Sequence, residues 1–313
     1  MKFLVTGGAG FIGSNLVEGL LNKKHSVRVI DNFSTGKREN LIPFLSDIEL
    51  VEGDIRSYHI VQEAVEGVDV ILHQAALPSV PRSIKDPITS NEVNVVGTLN
   101  ILQAANDEKV KRIVFASSSS VYGDNPELPK HEGMIPNPLS PYAVSKLAGE
   151  KYCGVFSRIY GLETVALRYF NVFGPRQDPN SIYSAVIPRF ITAIMNNQSP
   201  LIYGDGEQSR DFTFISNVVH ANYLAGTVDC ELGLFANCAC HDRITLNELV
   251  AMINKILGKN INPVYKDARQ GDIKHSFAKI DKAKEKLGYE PLVKFEDGLQ
   301  KTIEWFLQSN QKK

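Results

Sequence analysis

Tyr142 and Lys146 stand four residues apart in Ser140-Pro141-Tyr142-Ala143-Val144-Ser145-Lys146. Pro141 suits the first position of a helix, and that spacing puts both side chains on one helix face. An ammonium beside a phenol favours the phenolate and draws the phenol toward the range useful for a general base. Upstream, Ser117-Ser118-Ser119-Ser120 follows the apolar run Arg112–Ala116. Parallel sheets place their ligands at the carboxyl ends of strands, so one of these hydroxyls is positioned to bridge a substrate oxygen to Tyr142.

A second group of residues suits a phosphate. Gly7-Gly8-Ala9-Gly10-Phe11-Ile12-Gly13 follows the strand-like run Lys2–Thr6 and precedes a helix expected to begin near Ser14. Such glycines let the backbone approach a pyrophosphate, whose charge is met by free N–H groups at the helix start. Asp31 ends the run Val27-Arg28-Val29-Ile30-Asp31, where a carboxylate accepts from the adenosine ribose hydroxyls and repels a 2′-phosphate. The expected cofactor is therefore NAD rather than NADP. Asp54-Ile55 has two readings that stay open, a polar adenine contact beside an apolar wall or a helix N-cap. The small residues of Gln74-Ala75-Ala76 would let a cofactor lie against the sheet edge.

These groups need a frame. Short apolar runs at Lys2–Thr6, Ser26–Ile30, Glu49–Glu52, Val68–His73, Arg112–Ala116 and Thr164–Arg168 alternate with amphipathic stretches. That rhythm predicts βαβ units and an α/β fold, a Rossmann-type doubly wound parallel sheet. After Arg168 the chain turns Pro- and Gly-rich, with helices expected at Ala185–Asn197 and Leu246–Leu257 in a smaller, mostly helical lobe. Phe214–Leu224 and Leu234–Asn237 read as a helix and a strand returning to the first domain. The expected division is 1–168 plus about 212–238 for the dinucleotide domain, and about 169–211 plus 239–313 for the second lobe.

The formal net charge of −1 across 313 residues gives no global field for nucleic acid or an anionic membrane. No apolar run approaches membrane-spanning length, and the expected location is the cytoplasm. Cys153, Cys230, Cys238 and Cys240 lack paired metal-ligand spacing. They read as reduced structural cysteines, and no metal is expected.

Taken together, these motifs resemble the extended short-chain dehydrogenase/reductase family, in its nucleotide-sugar 4-epimerase branch, over nearly the whole chain. The resemblance implies that Ser118 donates to the substrate, Tyr142 acts as base, and Lys146 modulates Tyr142 and binds the nicotinamide ribose. It implies tightly bound NAD held by Gly7, Gly10, Phe11, Ile12, Gly13, Asp31, Asn32, Ser34, Gly36, Asp54, Ile55, Gln74, Ala75, Ala76, Ser117, Tyr142, Lys146 and Tyr169. The implied UDP-sugar contacts are Ser118, Ser119, Tyr142, Asn171, Gln177, Ala185, Val186, Leu201, Tyr203, Arg210, Arg269, Asp272 and Ser276. Among these, Arg210 and Arg269 take the pyrophosphate, where guanidinium forks suit a diphosphate. Asp272 takes the uridine ribose, and Leu201-Ile202-Tyr203 the uracil. The resemblance also implies a homodimer formed by the helix before Glu108 and the helix bearing Tyr142.

Related dehydratases and decarboxylases carry carboxylates just before the Val-Tyr-Gly step, where this chain has Ser119 and Ser120 ahead of Val121-Tyr122-Gly123. That substitution favours transient oxidation at the sugar C4. The resemblance extends to a subgroup acting on UDP-GlcNAc and UDP-GalNAc, with Ser276 as the small residue facing the C2 substituent, and UDP-glucose/UDP-galactose as a further pair. Pro78 departs from that subgroup, which often has Gly there. The rival readings are a UDP-uronate 4-epimerase, a sugar-nucleotide dehydratase or decarboxylase, and an NAD-binding sensor without catalysis.

Overall fold

Strand-forming residues buried on both faces set the architecture. In Lys2–Thr6 (β1), Phe3 and Val5 enter one apolar core while Leu4 enters another, as a period of two requires when both faces are covered. The same division recurs in Val70–His73 (β4), with Leu72 on one side and Ile71 on the other. The computed structural model describes residues 1–178, 186–267 and 274–311.

The other main strands are Ser26–Asp31 (β2), Ile48–Glu52 (β3), Arg112–Ser118 (β5), Glu163–Tyr169 (β6) and Leu234–Cys238 (β7). They form one seven-stranded sheet in the order β7-β6-β5-β4-β1-β2-β3, and all its pairings are parallel. The chain builds outward from β1 to β3 and then resumes on the other side of β1 with β4. This reversal of direction opens a crevice at the strands' carboxyl ends.

Helix Phe11–Asn22 (α1) packs with Ile215–Thr227 (α6), on the side of Phe3 and Val5. Tyr58–Val65 (α2), Gly97–Asp107 (α3) and Pro141–Tyr160 (α4) cover the opposite face. Val186–Met195 (α5), Leu246–Leu257 (α7) and Phe295–Gln311 (α8) pack together beyond the sheet. Beside them lie short strand pairs, such as Leu201–Tyr203 with Val264–Lys266. Thr245 and Glu248 form a reciprocal capping box at the start of α7.

Edge strand β3 is charged on its exposed positions. Glu49 pairs with Lys2 at 2.8 Å and Arg28 at 2.7 Å, and Glu52 pairs with Arg38 at 2.6 Å. Among the described residues, no helix is long and apolar enough to cross a membrane. The four cysteines are free, and no described cluster of His, Cys, Asp and Glu is arranged for a metal.

Candidate active site

The glycine-rich turn opens α1 earlier than expected, at Phe11 rather than near Ser14, with Gly10 at the N-cap. Gly13 sits so close to the preceding turn that a Cβ there would fall 2.1 Å from Gly7 O. Only a hydrogen fits, and that closeness brings the first turn of α1 against the end of β1. Thr6 Oγ1 accepts from Gln74 N at 3.1 Å and Ala75 N at 3.0 Å, fastening the next strand's exit to this turn.

A cavity of about 680 Å³ runs from here along the carboxyl edge of the sheet. Its wall includes Gly7, Gly10, Phe11, Ile12 and Gly13 from the turn, and Asp31, Asn32, Ser34 and Gly36 after β2. Asp54 and Ile55 follow β3, Gln74 to Ala76 follow β4, and Ser117, Tyr142, Lys146 and Tyr169 close the far end. All of the residues expected to hold the dinucleotide therefore border one continuous space.

Asp31 Oδ2 accepts from Ala9 N and Oδ1 from Phe33 N, both at 2.8 Å, which aims the carboxylate along the cleft. Burial raises its pKa, and those two backbone hydrogen bonds pull the other way. Asp54 is not a helix N-cap; Ser57 holds that position before α2. Asp54 instead binds Arg56 and accepts from Asn32 Nδ2 at 2.8 Å, and the Arg56 hydrogen bond leads in lowering its pKa to about 2. The glycine cradle, the free N–H groups of the helix start and the Asp31 carboxylate fit a dinucleotide lacking a 2′-phosphate.

At the other end, α4 starts at Pro141. Ser140 Oγ accepts from Ala143 N at 3.2 Å, and Ser83 Oγ accepts from Tyr142 N at 3.0 Å, so these two first-turn donors, which have no partner within the helix, are satisfied. Lys146 is 4% exposed, and its Nζ donates to Ala116 O at 2.8 Å and lies 5.9 Å from the Tyr142 ring centre. Burial lowers the Lys146 ammonium to about 8. Burial likewise raises the Tyr142 phenol, opposed by its hydrogen bond with the Ser118 hydroxyl. Ser118, Tyr142 and Lys146 thus meet as a hydroxyl, a phenol and an ammonium beside one cleft.

β5 runs through Ser117 and Ser118 instead of ending at Ala116, pairing them with Arg168 and Tyr169. Ser119 begins the helical turn that follows. Ser117 Oγ donates to Glu150 Oε1 at 2.5 Å, and Gly149 lets α4 approach, since a Cβ there would lie 2.3 Å from Phe115 Cζ. Tyr169 Oη donates to Gln74 Oε1 at 3.2 Å and accepts from Asn222 Nδ2 at 2.8 Å.

The proposed sugar-nucleotide residues are distributed more widely. Gln177 lines the cavity, and Asn171 has φ of +33° and donates to Asp211 O at 3.0 Å. Val186 begins α5, and Leu201 and Tyr203 flank buried Ile202 on their short strand. Arg210 Nη1 donates to Ser209 O at 2.9 Å, and Ser276 N donates to that same carbonyl at 3.0 Å. Ala185, Arg269 and Asp272 lie outside the described residues.

Several wall residues escaped sequence reasoning. Lys37, Asn40, Ser79, Arg82 and Arg176 also line the cavity. Asn94 accepts from Leu77 N at 2.7 Å and donates to Ser145 Oγ at 3.0 Å. It sits in a π-helical turn, Glu92–Val96, a departure from α geometry often found at functional sites.

A parallel sheet with this cleft and its Ser–Tyr–Lys group defines an NAD-dependent short-chain dehydrogenase/reductase-type enzyme. The chain belongs to the NAD dependent epimerase/dehydratase family, whose model matches residues 3–229. It is similar to the UDP-N-acetylglucosamine 4-epimerase of Methanobrevibacter ruminantium M1, solved in complex with UDP-N-acetylmuramic acid. That match has 42% identity, covers 98% of each chain and has a TM-score of 0.94. It is 38% identical to the UDP-glucose 4-epimerase of Mycolicibacterium smegmatis, over 99% of this chain and 100% of the relative. It is also 35% identical to the UDP-N-acetyl-alpha-D-glucosaminuronate decarboxylase of Bacillus cytotoxicus, over 97% of both.

Proposed function

We propose that the chain interconverts the 4-epimers of a UDP-hexose, with UDP-GlcNAc/UDP-GalNAc as the first pair and UDP-glucose/UDP-galactose as the second. The observation carrying this reading is the contact of Ser118 with Tyr142 beside a buried Lys146, with serines rather than carboxylates at Ser119 and Ser120.

NAD, when bound, supplies a reversible hydride acceptor. Ser118 holds the sugar 4-oxygen and Tyr142 removes its proton, while the nearby Lys146 ammonium favours the phenolate. The 4-keto sugar would turn within the pocket to present its other face, and Tyr142 would return the proton to the 4-oxygen. In this reading Arg210 and Arg269 hold the pyrophosphate, Asp272 the uridine ribose, and Leu201 and Tyr203 the uracil. Asn171, Gln177, Ala185 and Val186 border the diphosphate and sugar, while Ser276 leaves room for an acetamido group. Without a carboxylate at Ser119 or Ser120, the decarboxylase and dehydratase readings lack the acid or base those reactions use.

Incubating the NAD-loaded protein separately with UDP-GlcNAc and UDP-glucose, and resolving products by proton NMR, tests the proposal. Interconversion of UDP-GlcNAc supports the first pair; interconversion of neither substrate overturns the epimerase reading.

We also propose a homodimer through α3 and α4. Val144, Val155 and Ile159 of α4 are 52%, 44% and 66% exposed, an apolar stripe on an otherwise packed helix. Ile159→Glu should shift the mass in light scattering from dimer to monomer, and a monomeric parent protein would contradict the assignment.

A further inference from the structure

Four contacts fasten the segment from Pro175 to Asp178 across the cofactor cleft. Asn15 of α1 donates through Nδ2 to Phe11 O at 2.8 Å and to Pro175 O at 3.1 Å. One carboxamide therefore joins the glycine-rich turn to the segment. Arg176 Nη2 donates to Asn15 Oδ1 at 2.7 Å and to Glu18 Oε2 at 2.5 Å, one helical turn on. Asp178 pairs with Lys37 at 2.9 Å, and Lys37 N donates to Ala9 O at 3.0 Å.

These attachments reach both ends of the dinucleotide's adenosine half. Asn15 and Glu18 stand on the helix whose start faces the pyrophosphate, and Lys37 follows the loop from Asp31. Arg176, Asp178 and Lys37 line the same cavity as Gly10 and Asp31. The backbone is held in an unusual form to achieve this, with φ of +151° at Gly174 and +69° at Arg176. A left-handed arginine is disfavoured on its own and persists where surrounding contacts dictate it.

We propose that Arg176 and Asp178 form a clasp that retains NAD. A dinucleotide lying along the glycine-rich turn, with its ribose at Asp31, is enclosed between that turn and the clasped segment. It departs when Arg176 leaves α1 and Asp178 leaves Lys37. The two fastenings differ in strength. Arg176 makes two hydrogen bonds from a side chain 15% exposed, one of them to a carboxylate. Lys37 and Asp178 are 49% and 33% exposed, so salt screens their pairing.

The release rate of NAD is the direct readout. Holoenzyme is freed of unbound cofactor by gel filtration and mixed with excess fluorescent etheno-NAD, and exchange is followed by fluorescence. Arg176→Ala should speed release by about ten- to a hundred-fold, given its charge-assisted hydrogen bonds. Lys37→Glu and Asp178→Lys should each speed it by about two- to five-fold at low salt, and the double variant Lys37→Glu/Asp178→Lys should restore slow release. The charge exchange decides the matter even if Arg176→Ala does not fold. Release rates unchanged in both single variants, or equally fast in the double variant and the singles, would overturn the clasp.

Discussion

Glu150 and Arg168 form a two-pronged ion pair directly beneath the cleft, with Arg168 Nε 2.8 Å from Oε1 and Nη2 2.7 Å from Oε2. Ser117 shares Oε1. The pair joins α4, which carries Tyr142 and Lys146, to the ends of β5 and β6. Arg168 is 2% exposed, so removing its partner strands a charge. Glu150→Ala should lower stability by about 3–5 kcal/mol in urea denaturation, and a loss under about 1 kcal/mol would contradict this role.

Tyr142→Phe keeps the ring and removes the proton-transferring oxygen. Epimerisation should fall by about 10²–10⁴-fold, with NAD still bound. Product formation by chromatography, alongside absorbance of the released cofactor, separates the two effects; near-parental turnover would exclude Tyr142 as the base.

His73 governs part of the acid limit. Thr98 Oγ1 donates to Asn94 O at 2.6 Å and so accepts from His73 Nε2, while Thr6 Oγ1 donates to Nδ1 at 2.7 Å. The imidazole is therefore neutral with its proton on Nε2, and burial, aided by the Lys146 charge, lowers it to about 3. The unfolded chain binds an extra proton between about pH 3 and 6.5. Stability from this group is complete above 6.5 and is lost as pH falls, by up to about 1.4 kcal/mol per unit. His73→Gln should flatten that part of the curve in urea melts from pH 4 to 7; an equally steep curve would assign the acid limit elsewhere.

Asn94 couples the loop after β4 to the catalytic helix. Asn94→Ala leaves Leu77 N without its acceptor and Ser145 without a donor, a cost of about 1–3 kcal/mol. If Asn94 aligns Tyr142 through α4, kcat should fall more than KM rises in steady-state assays. Unchanged kcat would leave it a purely structural link.

The sheet and most of the cleft were legible because burial on both faces leaves continuous apolar runs, and because a pyrophosphate turn demands glycine. Leu246–Leu257 was legible to the residue, its boundaries set by Thr245 and Gly258. The end of β5 was not. Serine has little strand preference, and pairing with Glu163–Tyr169 carries Ser117 and Ser118 into the ladder. Arg176 and Asn94 left no local signal either. Their partners, Glu18 and Ser145, are distant in the chain, and the π-helical turn around Asn94 follows from packing rather than from any residue type.

The charged edge strand also bears on what the protein does in a crowd. An open strand offers unpaired backbone groups to any neighbour, and Ile48, Leu50 and Val51 would make this one adhesive. Glu49 and Glu52 interrupt that apolar surface, and their tethers to Lys2, Arg28 and Arg38 keep the charges at the rim. The sheet therefore ends cleanly at β3, and the same carboxylates act as gatekeepers against edge-to-edge joining at that strand, the step that begins aggregation.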